Sequence, residues 1–160
     1  MAVKLIASDL DGTLLTNKKE LSPRTREALD LAAAQGIYLV PATGRSFESV
    51  PEMIREYPGV EYLITANGGA VYSVSEKKRI YQCLMTPESV EAAIAVRKRE
   101  KMVMEVVIDG VPYAEEDYVR DPLSYLATEY GARYIKATRT PVKDIIEFAT
   151  QHAKELEDRK

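Results

Sequence analysis

Two aspartates stand one residue apart after a short apolar run, in the stretch Ser8-Asp9-Leu10-Asp11-Gly12-Thr13-Leu14. The run Val3–Ala7 is typical of a buried parallel strand, and a strand turns alternate side chains to the same side. Asp9 and Asp11 are therefore expected to point the same way. Two neighbouring carboxylates are costly to withdraw from water unless a cation offsets their charge, and a hard divalent cation suits them.

The residues that follow the aspartates fit the same interpretation. Gly12 allows the backbone to approach a ligand closely, and Thr13 adds a hydroxyl group. Asp-Gly is also common in turns, where two acidic side chains are simply solvated. The complete run, placed directly after an apolar strand, favours a functional site over that alternative.

Composition limits the classes of function. The chain has 160 residues, 46% of them hydrophobic, which suffices for one ordinary domain or two small ones. Its net charge of −3 provides no basic surface for nucleic acid. No segment is apolar over the length of a membrane span, and the first residues lack the pattern of a signal peptide.

The counts of cysteine and histidine restrict the chemistry further. Cys83 is the only cysteine, which excludes an intrachain disulfide and predicts a cytoplasmic location. His152 is the only histidine and lies in a charged terminal segment. A histidine-based triad or a multi-histidine metal centre is therefore not expected, and acid–base chemistry must depend on carboxylates.

Alternating strand and helix patterns position these residues. A helix is predicted to open at Ser22-Pro23 and end at Gly36, and a second to run over Phe47–Tyr57. The strands predicted around them are Lys4–Ser8, Ile37–Ala42 and Tyr62–Ala66. This order predicts an open parallel α/β sheet, in which ligands bind beyond the carboxyl ends of the strands.

Three polar clusters follow these three strands. They are Asp9 with Asp11, the triplet Thr43-Gly44-Arg45, and Asn67-Gly68. Each has an ordinary alternative: the triplet could be a plain strand-to-helix turn, and Asn-Gly is a common turn pair. Arg45 could equally touch a substrate or pair with an acidic residue of the core.

After Gly69 the pattern changes, and we place a boundary near Leu84–Thr86. A hairpin is predicted before it, over residues 70–73 and 79–84. Beyond it, a helix is expected from Pro87 to about Lys101, and the pair Asp109-Gly110 predicts a tight turn between two strands. The remaining predictions are a strand at 103–108, a strand at 111–114, a helix at 122–130 that stops at Gly131, a strand at 142–149 and a polar helix at 151–160.

The motifs as a set resemble the haloacid dehalogenase-like superfamily. They are Asp9-Leu10-Asp11-Gly12-Thr13-Leu14-Leu15, Ala42-Thr43-Gly44-Arg45 and Ala66-Asn67-Gly68-Gly69-Ala70. The most similar branch is that of the Cof-type phosphatases, which act on sugar phosphates and other small phosphorylated metabolites. The resemblance implies that residues 1–84 form a partial Rossmann-like parallel sheet, the first three strands of the core, and that residues 85–160 form part of an α/β cap domain.

The resemblance also implies the roles of individual residues. Asp9 would be the nucleophile that forms an aspartyl-phosphate, and Asp11 the general acid and then the general base. Both would hold Mg²⁺. Thr43 matches the residue that hydrogen-bonds the phosphoryl oxygens. The remaining predicted phosphate- or substrate-binding residues are Gly12, Gly44, Arg45 and Asn67.

Two further motifs of the family are missing from this sequence. They are a lysine that steadies the phosphoryl group and a Gly-Asp-rich acidic loop, and the chain contains neither a Lys-Gly nor a Gly-Asp dipeptide. The strands are also apolar on both faces, which predicts an uncovered sheet face and edge. We therefore expect a fragment, a dimer, or a subunit completed by another chain. The alternative function is a non-catalytic interaction module that retains the phosphate-binding end.

Overall fold

The computed structural model describes residues 2–100, 102–125 and 128–156. The chain divides into two compact units, and the division falls between Cys83 and Leu84. Each unit is described by itself below. Across the described ranges, no helix combines the length and the apolar character needed to cross a membrane.

The described residues of the first unit form five strands. They are β1 (Leu5–Ser8), β2 (Tyr38–Pro41), β3 (Tyr62–Thr65), β4 (Ala70–Ser73) and β5 (Lys78–Gln82). β1 and β2 pair in parallel, and single parallel bridges, Leu39 to Val60 and Ala42 to Ile64, continue the parallel arrangement towards β3. β3, β4 and β5 form an antiparallel meander. The predicted α/β class with a parallel Rossmann-like sheet is confirmed.

Helix α1 (Pro23–Ala34) begins as the sequence predicts. The Ser22 hydroxyl accepts the Thr25 N–H at 3.1 Å, which satisfies one of the unpaired donors of the first turn. The predicted helix over residues 47–57 is wrong as a single element. A 3₁₀ turn at Phe47–Ser49 is separated from α2 (Glu52–Arg55). Pro51 breaks the run, because a proline disfavours helical backbone at the residue before it and Val50 is extended here.

The core of this unit lies between the sheet and its helices, and its fully buried side chains include Leu10, Ile54 and Leu63. In contrast, β1 leaves apolar side chains in water: Leu5 is 49% exposed and Ile6 38%. Tyr38 on β2, the register partner of Leu5, is 50% exposed. We propose that a partner covers these exposed side chains.

Two glycines with left-handed backbone offer a matched test of core packing. Gly59 has φ +86°, and a Cβ there would lie 2.7 Å from the Cβ of Ala33. Gly36 has φ +70° and open space around it. We expect Gly59→Ala to lower the free energy of unfolding by about 2–4 kcal/mol, because strain and overpacking add. Gly36→Ala should cost only about 1 kcal/mol, for backbone strain alone. Urea denaturation of both variants measures the difference, and equal losses would contradict it.

Over its described residues, the second unit has three strands, with an antiparallel hairpin formed by β6 (Glu105–Ile108) and β7 (Val111–Glu115). Asp109 and Gly110 both have positive φ, as a two-residue type I′ turn requires. Strand β8 (Thr140–Val142) pairs with β7 in parallel. The described α-helices of this unit are α3 (Pro87–Arg99), α4 (Glu116–Arg120), α5 (Glu129–Thr138) and α6 (Ile145–Gln151), and a 3₁₀ turn lies at Pro122–Ser124.

Several predictions for this unit are wrong. Gly131 does not end a helix: the Thr128 hydroxyl accepts its N–H at 3.1 Å, so it belongs to the first turn of α5.

The predicted strand at 142–149 is α6, because the Asp144 carboxylate accepts the N–H groups of Ile146 and Glu147 and starts a helix. Short apolar runs do not distinguish buried strands from helices. The polar helix predicted from Gln151 is also wrong as far as residue 156; residues 157–160 lie outside the described part.

Candidate active site

The polar clusters begin at one edge of the sheet, where the first three strands end. Ser8 of β1 lies opposite Pro41 of β2, and the Ala42 N–H donates to the Ser8 carbonyl at 2.8 Å. The Thr43 N–H in turn donates to the Ile64 carbonyl at 2.9 Å. The loops after β1, β2 and β3 are therefore neighbours, as the carboxyl ends of parallel strands should be.

The loop after β1 presents Asp9 to solvent. Between the two aspartates, Leu10 is 0% exposed, so its side chain anchors the loop to the core. Gly12 has φ +85°, and nothing lies within 4 Å of the position that a Cβ would take. Within the described residues, the Asp9 carboxylate has no hydrogen-bond or ion-pair partner. It is therefore available to a metal ion or a substrate.

Asp11 is held by two cations. Arg45 donates from Nε to Oδ2 at 2.8 Å and from Nη2 to Oδ1 at 2.9 Å, a bidentate pair. Lys19 donates from Nζ to Oδ1 at 2.6 Å. The hydrogen bonds from Arg45, helped by those from Lys19 and opposed by partial burial, hold the pKa of the Asp11 carboxyl well below its ordinary value. Asp11 is therefore ionised in this arrangement.

The loops after β2 and β3 are bonded to each other. Thr43 is 5% exposed, and its Oγ1 accepts the Arg45 N–H at 3.2 Å. The Asn67 N–H donates to the Thr43 carbonyl at 3.1 Å, and the Ala66 N–H donates to the Arg45 carbonyl at 2.8 Å. Ala66 and Asn67 both adopt left-handed backbone, which turns the chain sharply after β3.

Gly44 makes room for the Asn67 side chain. A Cβ on Gly44 would lie 2.5 Å from the Asn67 Oδ1. Because the Asn67 side chain is exposed and can rotate, an alanine here displaces the amide and leaves the core intact. Glycine at this position is thus explained by a close approach to Asn67.

This close approach gives a testable expectation for Gly44→Ala. The free energy of unfolding should change by less than about 1 kcal/mol. The KM for an aryl phosphate should rise roughly 3–10-fold, if the Asn67 amide makes one hydrogen bond to the bound phosphate. Asn67→Ala should give a similar rise, and the double variant no further rise, because both changes remove the same contact. Additive effects in steady-state kinetics would contradict this coupling.

The structure thus places every predicted site residue on three adjacent loops, and brings Asp11 and Arg45 into direct contact. Of the alternatives for Arg45, pairing with an acidic residue is observed, although that residue is Asp11 and not one of the core. Lys19 was not predicted as a site residue. No signal separated it from its neighbour Lys18, because both lie in a polar loop and only the folded chain brings one of them to Asp11.

The donor set can be compared with what Mg²⁺ prefers, namely one or two carboxylates, substrate phosphate and several waters. Asp9 fits this description. The Asp11 carboxylate is already engaged by Arg45 and Lys19, so it is less available than Asp9 as a metal ligand. Over the described ranges, no group of three or more His, Cys, Asp or Glu side chains is placed to hold a metal ion. A cation at Asp9 would therefore depend on the substrate for further ligands.

Comparison with known proteins adds a family match. A model described as haloacid dehalogenase-like hydrolase matches residues 6–158. HMP-PP phosphatase of Klebsiella pneumoniae is 35% identical over 107 residues, which cover 67% of this chain and 39% of that enzyme. A 5-amino-6-(5-phospho-D-ribitylamino)uracil phosphatase of Bacillus subtilis is 39% identical over 70 residues, covering 44% of this chain and 28% of that enzyme.

Solved structures match over most of the chain. A haloacid dehalogenase-like hydrolase from Bacteroides thetaiotaomicron superposes with a TM-score of 0.68 at 26% identity, over 91% of this chain and 54% of that one. A sugar phosphatase of subclass IIB gives a TM-score of 0.74 over 96% of this chain and 56% of that one. Its identity of 22% supports the fold alone. The chain spans little more than half of these structures and less than half of the two curated relatives.

Proposed function

Because the chain belongs to the haloacid dehalogenase-like hydrolase family, we propose that it carries the nucleophile and the phosphate-binding loops of a magnesium-dependent phosphatase. The family and the Cof-type branch predicted from the motifs are both confirmed. The proposed reaction is hydrolysis of a phosphate monoester through an aspartyl-phosphate. The proposed substrates are small phosphorylated metabolites, sugar phosphates among them.

One observation carries the proposal: Asp9, whose carboxylate has no partner among the described residues, lies one residue from the ion-paired carboxylate of Asp11, at the edge where three loops meet. A nucleophile needs a free oxygen, and an acid–base group needs to be positioned. The two aspartates differ in this way, although they lie only one residue apart. Their environments therefore support different roles for them.

In the proposed first step, an Asp9 oxygen attacks phosphorus and the ester oxygen leaves with a proton from Asp11. In the second step, Asp11 takes a proton from water, the water attacks phosphorus, and Asp9 and inorganic phosphate are released. The Thr43 hydroxyl, the Gly12 N–H and the Asn67 amide are the donors proposed for the phosphoryl oxygens. A magnesium ion held by Asp9 would offset the repulsion between the nucleophile and the dianionic phosphate.

The acid role of Asp11 requires a change at the site. While Arg45 and Lys19 hold the carboxylate, its pKa stays low and it cannot donate a proton. A bound phosphate competes for the same cations, since it offers more negative charge and more acceptor oxygens. Substrate binding would thus loosen these contacts and allow Asp11 to take up a proton.

Further parts of the proposal concern the rest of the molecule. We propose that residues 1–84 form the first half of the hydrolase core and residues 85–160 part of an α/β cap domain. A second copy or a complementing chain would cover the exposed apolar side chains of β1, and only a complementing chain could also supply the missing lysine and acidic loop. The cytoplasmic location stays a prediction. The named relatives act on phosphorylated compounds, which motivates the substrate class proposed here.

A second candidate, a non-catalytic module that binds phosphate, is favoured by the lack of a third acidic ligand among the described residues. Hydrolysis of p-nitrophenyl phosphate separates the two candidates. The phosphatase should turn over with Mg²⁺ and stop when EDTA removes the metal. Metal-dependent turnover would exclude the module, whereas its absence, also when a chain with the missing motifs is supplied, would exclude the enzyme.

A further inference from the structure

The loop between β1 and α1 fixes the position of Lys19. Leu15 bridges to both Asp11 and Leu21, and the Thr16 N–H donates to the Glu20 carbonyl at 2.9 Å. The Lys19 N–H donates to the Thr16 carbonyl at 2.8 Å. These contacts close a tight turn on the aspartate motif, so the Lys19 backbone is held in place before any ligand binds.

From this backbone position, the Lys19 side chain contacts Asp11. Its backbone is left-handed, with φ 63°, which is uncommon for lysine. Backbone strain alone does not indicate function, since Lys77 has φ 51° in the ordinary turn between β4 and β5. Lys19 differs because its ammonium group reaches the Asp11 carboxylate at 2.6 Å. Its neighbour Lys18 is exposed on the same loop and makes no such contact.

The charges at the site explain what a second cation could do there. Asp11 already has a complete bidentate partner in Arg45, so a carboxylate alone does not require Lys19 as well. With Lys19, the two negative charges of Asp9 and Asp11 are balanced by the two positive charges of Arg45 and Lys19. A divalent metal ion and a dianionic phosphate, added together, would preserve that balance. Without Lys19, the same site would carry an excess negative charge, which disfavours an anion.

We propose that Lys19 is a phosphate-binding residue, and that its ammonium group moves from Asp11 to a phosphoryl oxygen when a phosphate monoester or inorganic phosphate binds. This inference rests on the proposed function for the identity of the anion. The move leaves the bidentate pair with Arg45 to position Asp11 and removes one of the two hydrogen bonds that Oδ1 accepts. The loop thus couples the arrival of the anion to the loss of one of the two cations that hold Asp11.

Binding of inorganic phosphate tests this proposal without requiring catalysis. The ligand is titrated into the ¹⁵N-labelled chain, with and without Mg²⁺, and the amide shifts of Gly12 and Gly44 are followed. We expect Lys19→Gln to raise the phosphate Kd about tenfold, because one charge-assisted hydrogen bond is lost. Lys19→Arg should restore affinity to within about threefold, since the charge is retained. Lys18→Gln, which removes the same charge next to it, should leave the Kd unchanged.

Three results would contradict a phosphate-binding role for Lys19. A Kd that is unaltered in Lys19→Gln, an equal loss in Lys18→Gln, or no phosphate binding by the wild-type chain would overturn the proposal. If Lys19 had a purely structural role, Lys19→Gln would lower the free energy of unfolding and leave the phosphate Kd unchanged. Phosphate binding that depends on Lys19 in a protein that never turns over would contradict the proposed hydrolase and leave this inference intact.

Discussion

Asp9→Asn is expected to lower kcat for p-nitrophenyl phosphate by at least about 10⁴-fold, because an amide oxygen cannot form the covalent intermediate. The change keeps the size of the side chain, and the Asp9 carboxylate has no partner in the described residues that an amide would disturb. Folding should therefore be preserved. Steady-state assays with Mg²⁺, accompanied by thermal unfolding, measure both quantities.

The matched control is Asp117→Asn. Asp117 is also an exposed aspartate, with 68% of its side chain accessible, and its only described ion pair is with Arg120 of the same helix. Its kcat should equal that of the wild type. Activity retained by Asp9→Asn, or lost equally in the control, would show that Asp9 is not the nucleophile.

Asp11→Asn should affect substrates according to their leaving groups. An alkoxide needs a proton as it departs, whereas p-nitrophenolate leaves readily without one. We expect kcat/KM for glycerol phosphate to fall roughly 10²–10⁴-fold, and kcat/KM for p-nitrophenyl phosphate to fall much less. In Asp9→Asn, kcat/KM should fall by the same factor for both substrates. Equal losses in Asp11→Asn would contradict the assignment of Asp11 as the general acid.

The same variant has a second readout in acid. Hydrogen bonds from Arg45 depress the pKa of Asp11 in the folded protein below the ordinary value of 3.8. A depressed carboxyl pKa stabilises the folded state above that ordinary value, and the stabilisation is lost as the pH falls below it. The free energy of unfolding should therefore decrease more steeply below pH 3.8 in the wild type than in Asp11→Asn. Identical slopes would show that the ion pairs do not persist in solution.

Local signals were sufficient to predict most of the first unit. Ser22 before Pro23 gave the start of α1, and the alternation of strands and helices gave the parallel sheet. The predictions failed where a cap or a proline outweighed an apolar pattern. Asp144 starts a helix in a run that also suits a strand, and Pro51 interrupts a run that suits a helix. These outcomes depend on which backbone donors find a partner, which periodicity does not reveal.

At the candidate site, the sequence predicted the participating residues better than their contacts. The positions after each strand placed Asp11 and Arg45 at one sheet edge, but not as a bidentate pair. No sequence pattern explains why residue 44 is a glycine; only the position of the Asn67 side chain does. Lys19 could not be predicted, because its contact with Asp11 depends on a turn of the loop that no local sequence signal reveals.

Chemical trapping of the intermediate tests the central claim, that Asp9 is the nucleophile of a phosphatase. The protein is mixed with a phosphate monoester and Mg²⁺, quenched in acid, reduced with borohydride and analysed by peptide mass spectrometry. An aspartyl-phosphate would be converted to homoserine at position 9, and we expect homoserine there and at no other aspartate. Turnover without homoserine at position 9, or homoserine at position 11 instead, would contradict it.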